Sequence, residues 1–315
     1  MTASGSQTST IAVTDSGLGG LSVYAGILKG FSRSAVPGSE INLIYVNAWP
    51  ETDRGYNHYP DMTRKAAVFD RALAAMAALN PDVLAIACNT LSVIYLHTEF
   101  CKIARMPVYE IIVPGVDLTA ELLAREPETG VILFSTPTTA ESRIHALGLI
   151  RKGIASDRIV TQGCTGLAGI IERNPFDPEI TPMIRDNVDQ AMAKGANRFR
   201  QIVAALCCTH FGYCENQFAS AIARHTGTVP HILNPNQKLA EQVLMNFEKA
   251  GLFSPSGRTP GLNLRILSKV PLDAGRLTAY TALFDAQAPQ VAAALKNYQY
   301  LPDLFHIPEQ GDTSP

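Results

Sequence analysis

Two apolar runs that end directly in cysteine constrain this fold more than any other feature of the chain. Val83-Leu84-Ala85-Ile86-Ala87 leads into Cys88-Asn89-Thr90, and Ile202-Val203-Ala204-Ala205-Leu206 leads into Cys207-Cys208-Thr209-His210. Short uninterrupted apolar runs bounded by polar residues read as strands buried on both faces, as in parallel sheets. Around them the chain repeats strand, loop and helix. A first strand at 11–14 enters Asp15-Ser16-Gly17-Leu18-Gly19-Gly20 and a helix over 21–28. Strands follow at 41–46, 83–87 and 108–113, the last stopped by Pro114-Gly115, with helices over 61–79, from 89 to about 105 and over 117–125. A second series has strands at 130–134, 158–162, 201–206 and 231–233, with helices over 140–152, 167–173, 182–194 and 237–250. A late strand at 262–267 and a helix over 277–286 complete it.

This alternation predicts an α/β fold of two pseudo-symmetric lobes, each a mostly parallel sheet flanked by helices. Each cysteine motif stands at the carboxyl end of its strand, where open α/β sheets bind ligands. One site in the interlobe cleft, with a thiol on each side, follows. Lobe one is read as residues 9–113 plus 233–315 and lobe two as 114–232, with 1–8 and about 308–315 as disordered tails. The Pro/Gly-rich stretch 254–261 reads as loop.

Composition narrows the function. The 315 residues are 46% hydrophobic and 17% charged with a net charge of −2, so no strong field points to nucleic acid or an anionic membrane. No run of about 20 apolar residues suits a membrane span. Met1 to Thr10 is small and polar, without the apolar core of a secretory signal. Six cysteines are too few for a disulfide scaffold and are expected to be reduced, in a cytoplasmic protein.

The glycine-rich turn after the first strand can approach a ligand closely and present helix N–H groups to an anion. The alternatives are a plain tight turn or a dinucleotide loop, but the G-x-G-x-x-G spacing is missing. Asp15 favours a functional turn, because a carboxylate at a strand end is costly to bury without a partner. A lone Ala-Cys is often only a small buried hydrophobe. Two, followed by Asn-Thr and Thr-His, argue for reactive thiols. His210 is placed to assist or protonate a neighbouring group. Asn89, Thr90 and Thr209 can hold an amino-acid headgroup. Glu172 is a third candidate, against the alternative of an exposed helical glutamate. Cys101, Cys207 and Cys214 are assigned to packing. Cys207, Cys208, His210 and Cys214 crowd together, but adjacent cysteines are poor spacing for a tetrahedral metal site, so no metal is expected.

Asp15-Ser16-Gly17-x-Gly19-Gly20-Leu21-Ser22-Val23, Ala87-Cys88-Asn89-Thr90 and Cys208-Thr209-His210 resemble the cofactor-independent aspartate/glutamate racemase superfamily, and within it the glutamate racemases. Pro107-Val108, Pro114-Gly115, Thr136 with Thr139, and Glu172 resemble weaker elements of the same pattern, over roughly residues 11–250. The resemblance implies a PLP-independent isomerase without cofactor or metal. Cys88 and Cys208 would exchange roles as thiolate base and thiol acid. Asp15 would assist Cys88, while His210 and Glu172 assist Cys208. Ser16, Asn89, Thr90, Thr136, Thr139 and Thr209 would bind the amino acid. It further implies a small-molecule substrate rather than nucleic acid or membrane, D-glutamate for peptidoglycan, and a homodimer as one assembly.

Departures concern the substrate. Gly55-Tyr56-Asn57 stands where glutamate racemases carry Pro-Tyr-Gly, so Tyr56 and Asn57 are read as substrate-binding, and Asn57 with Arg54 could reshape the side-chain pocket. Cys207 replaces a usual glycine, Asn234-Pro235-Asn236 replaces an acidic position, and the segment after about Gly251 is longer than the pattern. Aspartate or another small substrate stays open, as do hydantoin racemisation, maleate isomerisation and arylmalonate decarboxylation, although decarboxylation needs only one thiol. A non-catalytic binding protein for an acidic metabolite is the alternative outside enzymes.

Overall fold

The computed structural model describes residues 8–31, 40–251 and 261–308. The apolar runs form the strands β1 (Thr8–Asp15), β2 (Glu40–Asn47), β3 (Val83–Ile86), β4 (Val108–Glu110) and β5 (Thr129–Ser135). They are followed by β6 (Ile159–Gly163), β7 (Gln201–Cys207), β8 (His231–Leu233), β9 (Gly261–Ser268) and β10 (Gln299–Tyr300). Two sheets result, ordered β10-β9-β2-β1-β3-β4 and β6-β5-β7-β8, and every strand pair is parallel. The order β4-β3-β1-β2 in the first sheet recurs as β8-β7-β5-β6 in the second. Cys88 after β3 and Cys208 after β7 therefore occupy corresponding places, as do Asp15 at the end of β1 and Ser135 at the end of β5.

Both faces of each sheet are covered, which is why the strands are apolar throughout rather than alternating. Ile11, Val13, Leu43, Tyr45 and Ala85 face one layer, with helices Leu21–Phe31 and Pro235–Lys249. Ala12, Ile44, Val46, Leu84 and Ile86 face the other, against helix Met62–Ala77. In the second sheet Ile132, Phe134, Ala204 and Leu206 pack on helices Ile180–Ala193 and Glu215–Thr226. Val131, Leu133, Val203 and Ala205 pack on Ile112–Arg125 and Ile144–Arg151. At about 1.5–3 kcal/mol for each large side chain removed from water, these layers hold the strand ends in place.

Several expectations are corrected. Thr8 belongs to β1 and pairs with Glu40, so the ordered chain starts before residue 9, and the remaining expected tail lies outside the described residues. The strand expected over 108–113 ends at Glu110, and Pro114-Gly115 does not stop it but lies in the first turn of helix Ile112–Arg125. Proline is tolerated there because early helical positions need no intrahelical N–H bond, and the Glu110 carboxylate accepts the N–H groups of Ile112 (2.6 Å) and Val113 (3.1 Å) instead. The helix expected up to about 105 is two, Asn89–Tyr95 and Phe100–Ile103. The break is held by the Thr98 hydroxyl, which donates to Tyr95 O and accepts from Cys101 N. Residues 252–260 and 309–315, read as loop and tail, lie outside the described residues. The carboxyl-terminal segment extends the first sheet, since β9 pairs with β2 along its whole length. Its helix Ala274–Asp285 also reaches the second lobe, where Tyr280 donates to Ile171 O (3.1 Å).

Candidate active site

The site grows from the carboxyl ends of β1, β3 and β7. Parallel register brings Thr14 level with Ile86, so the turn after β1 lies beside Cys88. The Ser16 hydroxyl is 3.2 Å from Cys88 Sγ. Cys88 also caps helix Asn89–Tyr95, its sulfur accepting from Leu91 N at 3.4 Å. Burial, reinforced by the Asp15 charge, pushes the Cys88 thiol well above its ordinary range, so Cys88 rests as a thiol.

On the opposite side, Cys208 Sγ is 3.9 Å from His210 Nδ1. His210 Nε2 is 2.7 Å from Glu172 Oε2. Burial alone would lower the His210 pKa. Its hydrogen bonds to Cys208 and Glu172, with their charges, outweigh burial and hold it well above 6.5. An imidazolium clamped this way donates from both nitrogens and stabilises negative charge on Cys208 sulfur. The two thiols thus differ in environment: one lies beside a hydroxyl and a carboxylate, the other beside a cation.

Asp15 couples the two halves. It is fully buried, and its Oδ2 accepts from Thr209 Oγ1 at 2.8 Å. Its Oδ1 has no partner. Desolvation raises its pKa to about 6, against lowering by His210 and Thr209.

The glycine-rich turn differs from the sequence reading. The helix amino terminus is read as offering N–H groups to an anion; ahead of that helix, the Leu18 N–H donates to Glu172 Oε2 at 2.7 Å. The anion is the chain's own. The glycines permit the approach: a Cβ on Gly19 would lie 2.4 Å from Thr209 Oγ1 and 2.6 Å from His210 Nδ1, and one on Gly17 2.6 Å from Glu172 Oε2. Tyr45 and Tyr213 hold the turn by donating to the carbonyls of Gly17, Leu18 and Gly19.

The predicted threonines also meet across the lobes. Thr90 Oγ1 lies 2.8 Å from Thr136 Oγ1 and 3.3 Å from Thr139 Oγ1. Tyr56 is buried with its hydroxyl unpartnered, whereas Asn57 and Arg54 are exposed on the same loop and are not brought into this hydrogen-bonded cluster. Cys207 faces the opposite side of β7 from Cys208, in the core with Val203 and Ala205.

Three contributors were missed from sequence. His145 Nε2 is 3.1 Å from Asn89 Oδ1. Burial lowers the His145 pKa to about 4, so its neutral ring donates there and fixes the amide, leaving Asn89 Nδ2 as a buried donor without a partner. Lys65 Nζ donates to Thr138 Oγ1 at 2.9 Å. Arg276 Nη1 is 3.3 Å from Glu172 Oε1. None carries a local signal; the one available hint was the polar spacing Thr136, Thr139, Ser142, which places His145 on the following turn.

No protein-family model matches the chain. It is 29% identical over 241 residues to glutamate racemase of Vibrio vulnificus, covering 71% of this chain and 82% of that protein. The fold matches glutamate racemase isoform RacE1 from Bacillus anthracis with a TM-score of 0.64 at 18% identity, covering 88% of this chain and 93% of that one. It also matches glutamate racemase from Francisella tularensis in complex with D-glutamate, with a TM-score of 0.62 at 17% identity, covering 93% and 97%. Its motifs and its sequence relatives support the aspartate/glutamate racemase superfamily, and its paired parallel sheets share the fold of the glutamate racemase structures.

Proposed function

We propose that this protein is a PLP-independent racemase that interconverts L- and D-glutamate with two cysteines. The observation that carries the reading is the pair of thiols at corresponding strand ends, each with its own proton-handling partners. Cys88 has Ser16 and Asp15; Cys208 has His210 and Glu172. The sequence relatives named glutamate racemase support the substrate.

In one direction the Cys208 thiolate, formed beside the His210 imidazolium, takes the α-proton. The C–H electron pair passes to Cα and into the carboxylate. The Cys88 thiol then delivers its proton to the opposite face, leaving Cys88 as thiolate and Cys208 as thiol, and the reverse reaction restores both. The unpartnered Asn89 Nδ2 and the Tyr56 hydroxyl, with the hydroxyls of Thr90, Thr136 and Thr139, suit the substrate carboxylates. Asp15 Oδ1, the free oxygen of a buried carboxylate, suits its ammonium group. These groups are fixed before substrate arrives, so they stabilise the developing carbanion with little reorganisation. The same reading divides the chain into two lobes near residues 113 and 233, and the membership of the two sheets among the described residues supports a division there, with Leu233 still in the second sheet.

The test is proton NMR in D₂O with the reduced protein and single-enantiomer glutamate or aspartate. Loss of the glutamate α-proton signal with appearance of the opposite enantiomer is expected. Absence of exchange from both glutamate enantiomers, or full racemisation by Cys88→Ala, would overturn the proposal.

A further inference from the structure

The carboxyl-terminal helix Ala274–Asp285 sends one side chain into the chemistry. Arg276 is 15% exposed, and its Nη1 faces Glu172 Oε1 at 3.3 Å. That oxygen accepts no hydrogen bond, while Oε2 of the same carboxylate takes both Leu18 N and His210 Nε2. At its own helix start Asp273 caps the Arg276 backbone N–H at 2.9 Å and lies 3.6 Å from its Nε, which makes no hydrogen bond. The adjacent turn is fastened to the second lobe by Tyr280, through Ile171 O.

The charges in this enclosure balance. Asp15 and Glu172 are the anions, and His210 and Arg276 the cations, so the cluster is neutral while both cysteines are thiols. The other titratable groups facing it are Tyr45 from β2, Tyr213 from the turn after β7, Tyr280 from the carboxyl-terminal helix, and the thiols of Cys88 and Cys208. The tyrosines are held neutral by burial, so none can replace the guanidinium charge. Asp273 is 65% exposed and lies outside the enclosure.

We propose that Arg276 is a positioning residue for the Cys208 half of the reaction: it fixes the Glu172 carboxylate against His210 and supplies the positive charge that keeps the cluster neutral, so that Cys208 can become a thiolate. This rests on the racemase reading for its purpose, but not for its physics. Without Arg276 the cluster carries one net negative charge, and a further anion on Cys208 meets repulsion in a poorly screened site. A unit charge at this remove, at the effective dielectric of a buried site, changes thiolate formation by about tenfold.

Two readouts on the full chain separate the outcomes. In Arg276→Met, alkylation of Cys208 by iodoacetamide at pH 7, resolved from Cys207 by tandem mass spectrometry, is expected to slow about tenfold. Cys88 serves as the control for cleft opening, and Arg276→Lys should restore most of the rate. If the residue only props the lobes together, Met should speed alkylation of both Cys88 and Cys208, and that result, or an unchanged Cys208 rate, overturns the proposal. Should Arg276→Met not fold, Arg276→Gln against Arg276→Lys gives the same comparison. The second readout is the pH dependence of kcat/KM for racemisation, whose acidic limb should move up by about one pH unit in Arg276→Met, with KM little changed. Cys208 alkylation that slows in Arg276→Met relative to a wild-type chain that itself racemises nothing would leave this proposal standing and remove the functional one.

Discussion

Asp15→Asn should make the protein more stable and nearly inactive. Asp15 is fully buried, and desolvation lifts its pKa from 3.8 to about 6. A carboxylic acid with a raised folded pKa binds more protons folded than unfolded between about pH 4 and 6. Its contribution to stability is therefore fully present below pH 4 and is lost as pH rises through 6. At about 1.4 kcal/mol per pH unit, keeping Asp15 ionised at pH 7 costs about 3 kcal/mol. Asparagine resembles the protonated acid: its Oδ1 can still accept from Thr209, while its NH₂ replaces the unpartnered oxygen. Leaving that donor unpaired offsets about 1–2 kcal/mol of the gain. Urea unfolding at pH 7 should thus show Asp15→Asn more stable by about 1–2 kcal/mol, with the advantage gone at pH 4. Racemisation should fall by at least about 100-fold, because the negative charge beside Cys88 and the substrate ammonium is lost. A variant that is less stable than wild type at pH 7, by an amount independent of pH, would refute the desolvation argument. Wild-type stability that rises between pH 4 and 6 in a way that Asp15→Asn abolishes would refute it equally.

Other substitutions probe the remaining links. Glu172→Gln removes one of the two partners, with Cys208, that hold His210 protonated against burial, so the ¹⁵N shifts of His210 at pH 7 should move toward those of a neutral ring, with kcat lower by about 10- to 100-fold, the worth of a charge-assisted hydrogen bond. His145→Phe frees the Asn89 amide to rotate; KM for glutamate should rise about tenfold, and His145→Gln, which can still donate to Asn89 Oδ1, should recover part of it. A KM unchanged in His145→Phe would exclude the orienting role. Gly19→Ala places a methyl 2.4 Å from Thr209 Oγ1 and 2.6 Å from His210 Nδ1, so it should abolish turnover and lower stability by about 1–3 kcal/mol in thermal unfolding.

Much of the site was legible because its parts are local. Strand, cysteine and polar residues follow one another within five positions at Ala87–Thr90 and Cys207–His210, and a buried parallel strand delivers its carboxyl end to the cleft whatever the rest of the chain does. Element boundaries were less legible where caps decide them. The Glu110 carboxylate turns the chain into a helix before Pro114, where the proline itself reads as a stop. The amino-terminal residues Thr8 to Thr10 look like a polar tail and become strand because β2 offers a ladder partner at Glu40 to Asn42.

Sequence alone determined the fold class, the two thiols and their immediate neighbours, since apolar runs, glycines and polar motifs act over a few residues and state their purpose locally. Only the tertiary structure decided who faces whom across the lobes: Leu18 N and Arg276 on Glu172, His145 on Asn89, Thr209 on Asp15. The physical reason is that a buried charge or amide must find its partner in space, and packing, not spacing along the chain, sets which one is within reach.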